Sequence, residues 1–456
     1  MPKPESVVVA VLSWNGLEHL KHCLPALAEQ KDPGTPWQVV VLDNGSWDGS
    51  DAWVEEHFPD VRLLRSDVNL GFCGGNHKIV LETDADAVVF LNNDTRPEPD
   101  WLAALVEAYG SAGDDVAAVS GAIVDWEGGH LDFARGVVTF DGHAFQKGFG
   151  RPLTEAALPT GGTELAFACG GNMMIRRETY LEVGGFDRDY FAYLEDVDLG
   201  WRLWAAGHRI VFAPDAVVRH RSMATSAMLG HANRGFLFER NAYLTAYKNL
   251  DDELWPHLSP LVWMTLVHRA QTLMVQNNPG GHLLTLDPYA GLIANTASSE
   301  ASDGARIDRE EPRAGQSALH DLGRVPETTL VEKWRGYGPR EFFRRGVRKA
   351  VRKALPWLFE ETPVTRLVDA RTYAHLRAVT WILGHLDAHS AKRRQTQARR
   401  LRSDREILER FPLHVIPTYP GDRSLFQSAT FRDQLPTDLT RFLFRELDEI
   451  INVKPS

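Results

Sequence analysis

The feature that most constrains the fold is an uninterrupted apolar run from Ser6 to Leu12, dominated by valine. With no polar residue after Ser6 on either face, it suits a parallel strand buried on both sides. The same signal returns at Gln38–Leu42, Val61–Leu64 and Ala87–Leu91, and helical patterns fall between, at about 17–29, 50–57, 74–82 and 99–111. Strictly alternating strands and helices imply an open, doubly wound α/β sheet that takes ligands outside the carboxyl ends of its strands. Those ends are where the polar residues gather.

Beyond residue 116 the pattern changes to short strands and Gly-rich turns until about Tyr190, then to a helix at Asp196–Ala206 and helical signals at 234–276. Since 456 residues exceed what one core usually supports, three regions are expected. They are an α/β domain over 1–250, a helical segment with a polar linker over 251–330, and a mainly helical C-terminal region over 331–456. The last region contains a basic amphipathic segment, Arg340–Phe359, and a second basic run from Lys392 to Arg402.

The net charge of -11 argues against a nucleic-acid partner, which needs a basic field. Cys23, Cys73 and Cys169 have neither disulfide-framework nor zinc-site spacing. The N-terminus lacks the regions of a signal peptide, and no run approaches the roughly 20 apolar residues that span a bilayer. A cytoplasmic protein is expected. Its segment at 340–359 either makes peripheral contact with an anionic membrane surface, on the inner face of the cell membrane, or packs its apolar face on the α/β domain.

Four stretches carry the chemistry. Asp43, at a strand end, can accept from a uracil or thymine imide or a ribose hydroxyl, or can form an Asx-turn. Asn69–Asn76 is a Gly-rich segment opening a helix, which favours an anion or serves as a tight turn. Asn92, Asn93 and Asp94 end a buried strand with oxygen ligands suited to Mg²⁺ or Mn²⁺ or with simple turn formers. Glu195, Asp196 and Asp198 crowd a helix start, where the dipole favours acids. Three in four residues also repel one another and raise the proton affinity of a general base. His220, past a short strand at 216–218, completes a metal site or is a polar strand-end histidine.

Taken in order, these stretches resemble the family 2 glycosyltransferases of the GT-A fold, especially rhamnosyl- and galactofuranosyltransferase-like members. The matching segments are Val11–Asn15, Asp43–Ser50, Asn69–Asn76, Leu91–Asp94, Cys169–Met173, Gly184–Asp187, Glu195–Arg202, His220 and Arg240-Asn241. The resemblance covers about residues 6–250. It implies a Rossmann-like nucleotide-binding domain with a mixed, mostly parallel sheet, followed by the helical C-terminal region.

It further implies that Ser13, Asn15, Asp43, Asn69, Gly71, Gly74, Asn76, Asn92 and Asn93 bind the nucleotide. Asp94 and His220 would hold a divalent cation, Mn or Mg. Asp196, with Glu195 in support, would deprotonate the acceptor, and Gly170, Gly171, Asn172 and Asp198 would bind it. Asn92 departs from the Asp that many members carry there, which leaves one carboxylate at the strand end. The implied reaction is an inverting, metal-dependent transfer from a UDP- or dTDP-sugar, dTDP-rhamnose included, to a glycan or lipid-linked acceptor in cell-envelope polysaccharide synthesis. A sugar nucleotidyltransferase and a non-catalytic nucleotide-sugar-binding module are the alternatives.

Overall fold

The structure, a computed structural model, describes residues 3–221, 230–277 and 369–451. The apolar runs become the strands β1 (Val7–Ser13), β2 (Trp37–Asp43), β3 (Arg62–Arg65) and β4 (Ala87–Asn92). Between them lie the helices α1 (Leu17–Ala28), α2 (Ser50–His57) and α3 (Gly71–Leu81). Helix α1 shows why the pattern folds this way. Its Leu20, Cys23, Leu24 and Leu27 repeat at helical spacing, and all four are buried against the sheet. In β1, Val9, Ala10 and Val11 are wholly enclosed. Burying one valine side chain in this way contributes about 1.5–3 kcal/mol.

Next come β5 (Thr95–Pro97), α4 (Trp101–Gly110), β6 (Val116–Asp125), β7 (Leu131–Phe133), β8 (Gly136–Val138), β9 (Ala144–Gln146) and β10 (Asn172–Arg176). They are followed by α5 (Arg177–Glu182), α6 (Glu195–Ala205) and β11 (Arg209–His220). The main sheet has the order β3-β2-β1-β4-β10-β6-β11-β5, with β7 paired to β6. Strands β1, β2, β3, β4, β6 and β11 run in one direction, while β10, β5 and β7 oppose them. The sheet is therefore mixed and mostly parallel, as expected. Its order reverses between β1 and β4, so their carboxyl ends flank a crevice.

Two helix expectations shift. Helix α3 begins at Gly71 rather than at 74, so most of the Gly-rich segment is the first turn of the helix. The strand expected at 216–218 is the last part of the 12-residue β11, which runs on to His220.

Helices α7 (His231–Asn249) and α8 (Trp255–Asn277) and a long helix α9 (Ala370–Ala398) complete the main body. The basic run expected from Lys392 starts inside α9, and there it makes internal contacts. Lys392 pairs with Asp187 and Asp189, and Arg393 reaches the carbonyls of Tyr247 and Leu250. The C-terminal residues share the core of the sheet, since Ile382, Leu408, Leu413, Phe426 and Phe431 belong to the same apolar cluster as β1. A buried ion network locks them there. Arg269 of α8 bonds Asp141 at 2.9 Å and Asp422 at 3.0 Å. Both Arg269 and Asp422 are almost wholly enclosed. The amphipathic segment at 340–359 lies outside the described residues.

Candidate active site

Four strand ends meet at the crevice. After β1, Asn15 adopts a left-handed φ of 50°. Its backbone amide donates to Ser46 Oγ and its Oδ1 accepts from the Trp47 amide, both at 2.9 Å. The loops after β1 and β2 are thereby joined. Asn93 Nδ2 donates to Ser13 Oγ at 3.1 Å, which joins the ends of β1 and β4. Gly16 is needed for that approach, because a Cβ there would lie 2.1 Å from Asn93 Nδ2.

Asp43 serves the turn with one oxygen and leaves the other available. Its Oδ2 accepts from the Ser46 amide at 3.3 Å, whereas Oδ1 is buried with no partner among the described residues. Burial pushes its carboxyl above the usual range. Trp14 Nε1 and Asn15 Nδ2 are also buried donors without a partner there. Trp14 meets Trp47 edge to face at 5.8 Å, and Trp47 is 67% exposed beside this mouth. Neither indole was selected by sequence reasoning, because a lone Trp in a turn carries no spacing signal.

The Gly-rich segment has packing reasons for its glycines. Gly71 has φ +71°, and a Cβ there would press 2.5 Å from the Phe191 ring. Asn69 Oδ1 accepts from Asn44 Nδ2 at 2.9 Å and from the Gly71 amide at 2.8 Å, fixing the start of α3 against the end of β2. Gly74 has Leu70 Cβ 3.0 Å from where its own Cβ would stand, and Asn76 Nδ2 donates to the Phe72 carbonyl at 3.1 Å, one turn back in α3.

Asp94 and His220 come together. His220 Nε2 lies 3.3 Å from Asp94 Oδ1, and its Nδ1 lies 2.8 Å from Asp132 Oδ2. Burial opposes a charge on this imidazole, but Asp132 and Asp94 outweigh it and raise its pKa to about 10. Sequence reasoning missed Asp132. It sits on the short strand β7, 88 residues before His220, and only the pairing of β7 and β11 with β6 brings the two together. A carboxylate on the far nitrogen of a histidine is the usual outer partner of a metal-ligating imidazole, because it fixes the tautomer and ring direction. The Asp94 carboxylate and His220 Nε2 thus fit a divalent cation that would replace the proton between them. Asn92 turns toward Gly171, and its backbone amide donates to the Gly171 carbonyl at 3.3 Å.

The next two residues extend this line to the acidic cluster. The Gly170 amide donates to Asp196 Oδ2 at 3.2 Å, and Asp196 Oδ1 accepts from the Val197 amide at 2.8 Å. A Cβ on Gly170 would contact Phe72 and Asp196. Burial raises the proton affinity of Asp196, against the pull of these amides. Glu195 is pushed further up, by burial and then by Asp196 beside it, and its Oε2 is a buried acceptor without a partner among the described residues. A half-buried carboxylate of raised affinity can take a proton from a hydroxyl.

Two expectations are corrected. Asn172 was expected at the acceptor, but it is fully enclosed and its amide is consumed by the scaffold. Its Oδ1 accepts from Trp101 Nε1 at 2.8 Å, and its Nδ2 donates to the Ala122 and Ala216 carbonyls at 3.0 Å. Asp198 is equally enclosed. It bonds Arg202 at 2.7 Å and Lys248 and Asn249 at 2.8 Å, so it ties α6 to α7 instead of facing an acceptor. Burial works against its ionisation, yet Arg202 and Lys248 hold its carboxyl below the usual range.

Residues 7–184 match the sequence model of glycosyl transferase family 2, and residues 161–226 match a model described as the N-terminal domain of galactosyltransferase. A Mycobacterium tuberculosis N-acetylglucosaminyl-diphospho-decaprenol L-rhamnosyltransferase is 29% identical over 256 residues, which is 50% of this chain and 82% of that protein. Residues 7–184 are thus a family 2 glycosyltransferase domain. A Haloferax volcanii glucosyl-dolichyl phosphate glucuronosyltransferase is 25% identical over 47% of this glycosyltransferase and 68% of its own length.

Among solved structures, GalNAc-T7 with UDP, GalNAc and Mn²⁺ is similar with a TM-score of 0.44 and 15% identity, over 59% of this chain and 51% of that one. The Pyrobaculum calidifontis mannosyltransferase with GDP-Man and Mn²⁺ has a TM-score of 0.39 and 18% identity, over 59% and 76%. The fold is a mixed, mostly parallel α/β sheet with a helical C-terminal region, and the family match makes the protein a glycosyltransferase. The nucleotidyltransferase and binding-module alternatives are thereby set aside. Among the described residues, no helix is long and apolar enough to cross a membrane.

Proposed function

We propose that this glycosyltransferase moves a sugar, with inversion, from a nucleoside-diphosphate donor to a hydroxyl of a glycan or lipid-linked acceptor in cell-envelope polysaccharide synthesis. A UDP- or dTDP-sugar is the expected donor class, with dTDP-rhamnose first among them because of the rhamnosyltransferase relative. The observation that carries this reading is the continuity of the site. Asp94 lies two residues past Asn92, the Asn92 amide bonds Gly171, and the Gly170 amide bonds Asp196. One short loop thus links the candidate cation ligands to the candidate base.

In this reading Asp43 Oδ1, Asn15 and the Trp14–Trp47 pair hold the nucleoside, and Asn69 shapes the floor between β2 and α3. Asp94 and His220 would hold a divalent cation, with the His220 ring oriented by Asp132. That ion, Mn²⁺ or Mg²⁺, would offset the charge developing on the leaving diphosphate. Asp196 removes the proton of the acceptor hydroxyl. The freed oxygen attacks the anomeric carbon opposite the diphosphate, the bond from that carbon to the diphosphate oxygen breaks, and the centre inverts. Glu195, whose proton affinity is raised by burial and then by Asp196, supports the base beside it. Peripheral contact with an anionic membrane would bring the protein to a lipid-linked acceptor.

A panel of UDP-, dTDP- and GDP-sugars, each with Mn²⁺ and with Mg²⁺, tests the reading by thermal stabilisation and donor hydrolysis. Stabilisation by one donor only in the presence of metal is expected. Silence across the whole panel with both metals would overturn it.

A further inference from the structure

Beside Asp94 lies a cluster that the roles above do not use. Trp126, just past the end of β6, carries two guanidinium groups on one indole. The Arg221 guanidinium carbon is 4.2 Å from the ring centroid and that of Arg96 is 4.8 Å away. His22 of α1 meets the same indole edge to face at 5.5 Å, and its Nε2 lies 3.1 Å from Arg221 Nη2. The backbone fixes this group to the candidate cation site, because the Arg221 amide donates to the Asp94 carbonyl at 3.0 Å. His19, on the same helix, has a buried Nδ1 without a partner among the described residues.

One arginine stacked on a tryptophan is ordinary surface packing, and about 0.5–1 kcal/mol favours it. Two on one ring are different. Neither Arg96 nor Arg221 has a carboxylate partner among the described residues, although neighbouring Arg219 is paired with Glu98 at 2.6 Å. Nor does the stretch that follows, 222–229, contain an acidic residue. Two guanidinium groups without carboxylate partners, anchored on one indole, create a local positive potential that favours an anion. Burial and then the fields of Arg221 and Arg96 depress the proton affinity of His22, as an uncompensated positive potential should.

We propose that Arg96, Arg221 and His22, arrayed on the Trp126 indole, form a phosphoryl-binding subsite next to Asp94. It takes the diphosphate of a substrate, through forked guanidinium contacts to phosphate oxygens. Two substrates of the proposed reaction bear such a group, the nucleotide donor and a lipid-diphosphate acceptor, and the subsite rests on that reading for its source. Its chemistry is common to both.

The test is calorimetric titration of the full chain, in saturating Mn²⁺, with inorganic pyrophosphate, UDP and geranyl diphosphate. Arg96→Gln/Arg221→Gln should weaken pyrophosphate binding about tenfold or more, and Arg96→Lys, which keeps the charge but not the fork, should weaken it by less. The double variant should stay folded, its melt lowered by no more than the loss of two cation–π contacts. An equal loss for UDP assigns the subsite to the donor, and a loss confined to geranyl diphosphate and pyrophosphate assigns it to the acceptor. Unchanged pyrophosphate affinity in the folded double variant overturns the proposal. Because pyrophosphate binding requires no sugar transfer, that result is separable from failure of the glycosyltransfer reading.

Discussion

The Asn241 side-chain amide donates to the Tyr193 carbonyl at 2.8 Å, and so ties helix α7 to the turn that delivers Glu195 and Asp196. The same nitrogen also reaches the Ala192 carbonyl at 2.8 Å and that of Tyr190 at 3.1 Å, while Arg240 bonds the Asp189 and Tyr190 carbonyls. The turn needs this support. Phe191, Tyr193 and Leu194 have φ of 64°, 72° and 62°, conformations that cost non-glycine residues about 1–3 kcal/mol each.

Replacing Asn241 by leucine should therefore do more than destabilise. Leaving buried carbonyls unpaired costs about 1–3 kcal/mol. Relaxation of the turn should lower kcat about tenfold to hundredfold through misplacement of Asp196, with donor affinity unchanged. Steady-state kinetics beside donor titration would check this. A variant that melts lower but keeps wild-type kcat would show that the turn does not position Asp196.

Asp196→Asn keeps the shape and one of the two oxygens that accept from the Gly170 and Val197 amides, and it removes the base. Sugar transfer should fall by about a hundredfold to ten-thousandfold, while donor binding stays within about twofold. Comparable transfer rates in variant and wild type would remove Asp196 from that role.

Asp132→Asn probes the outer partner of His220. Losing the carboxylate on Nδ1 should weaken Mn²⁺ binding about tenfold to hundredfold. Mn²⁺ titration followed by electron paramagnetic resonance reads this directly. Equal affinity in variant and wild type would exclude His220 as an oriented ligand.

The buried network under the C-terminal segment predicts a pH dependence. His143 Nδ1 lies 3.2 Å from Asp141 and its Nε2 lies 3.3 Å from Glu239, with Arg269, His375 and Tyr419 packed around the same carboxylates. Burial opposes the charge on His143, but Asp141 and Glu239 overcome it and raise its pKa to about 10. A raised histidine contributes its full stabilisation below the unfolded value near ~6.5. That contribution is lost as pH climbs through about 10. Urea unfolding should weaken from pH 7 to 10 with a slope approaching about 1.4 kcal/mol per pH unit. His143→Gln should be less stable at pH 6.5 and shallower in slope. An unaltered slope in that variant would exclude His143 as its source.

Much of this protein is legible along the chain. Four strands, the helices between them and the polar residues at their carboxyl ends follow from short apolar runs and helical spacing, which depend on near neighbours alone. Asp43 and Asp94 could be singled out because each follows an apolar run, and Asp196 because three acids crowd one helix start and the stretch resembles the family's base. Only the tertiary structure decided how these residues are used. Asn172 and Asp198 look as available as Asn92 and Asp196 in sequence, yet strand β10 enters the middle of the sheet and α7 covers α6, so their polar atoms are consumed inside. Asp132 and Trp126 belong to a short strand and a turn with no periodicity. Their partners, His220, Arg221, Arg96 and His22, come from β11, the residue after it, β5 and α1, and the pairing of β11 with β6 and β5 and of β6 with β7 brings the strands together. Contacts across that sequence distance are set by topology, and no local pattern encodes them.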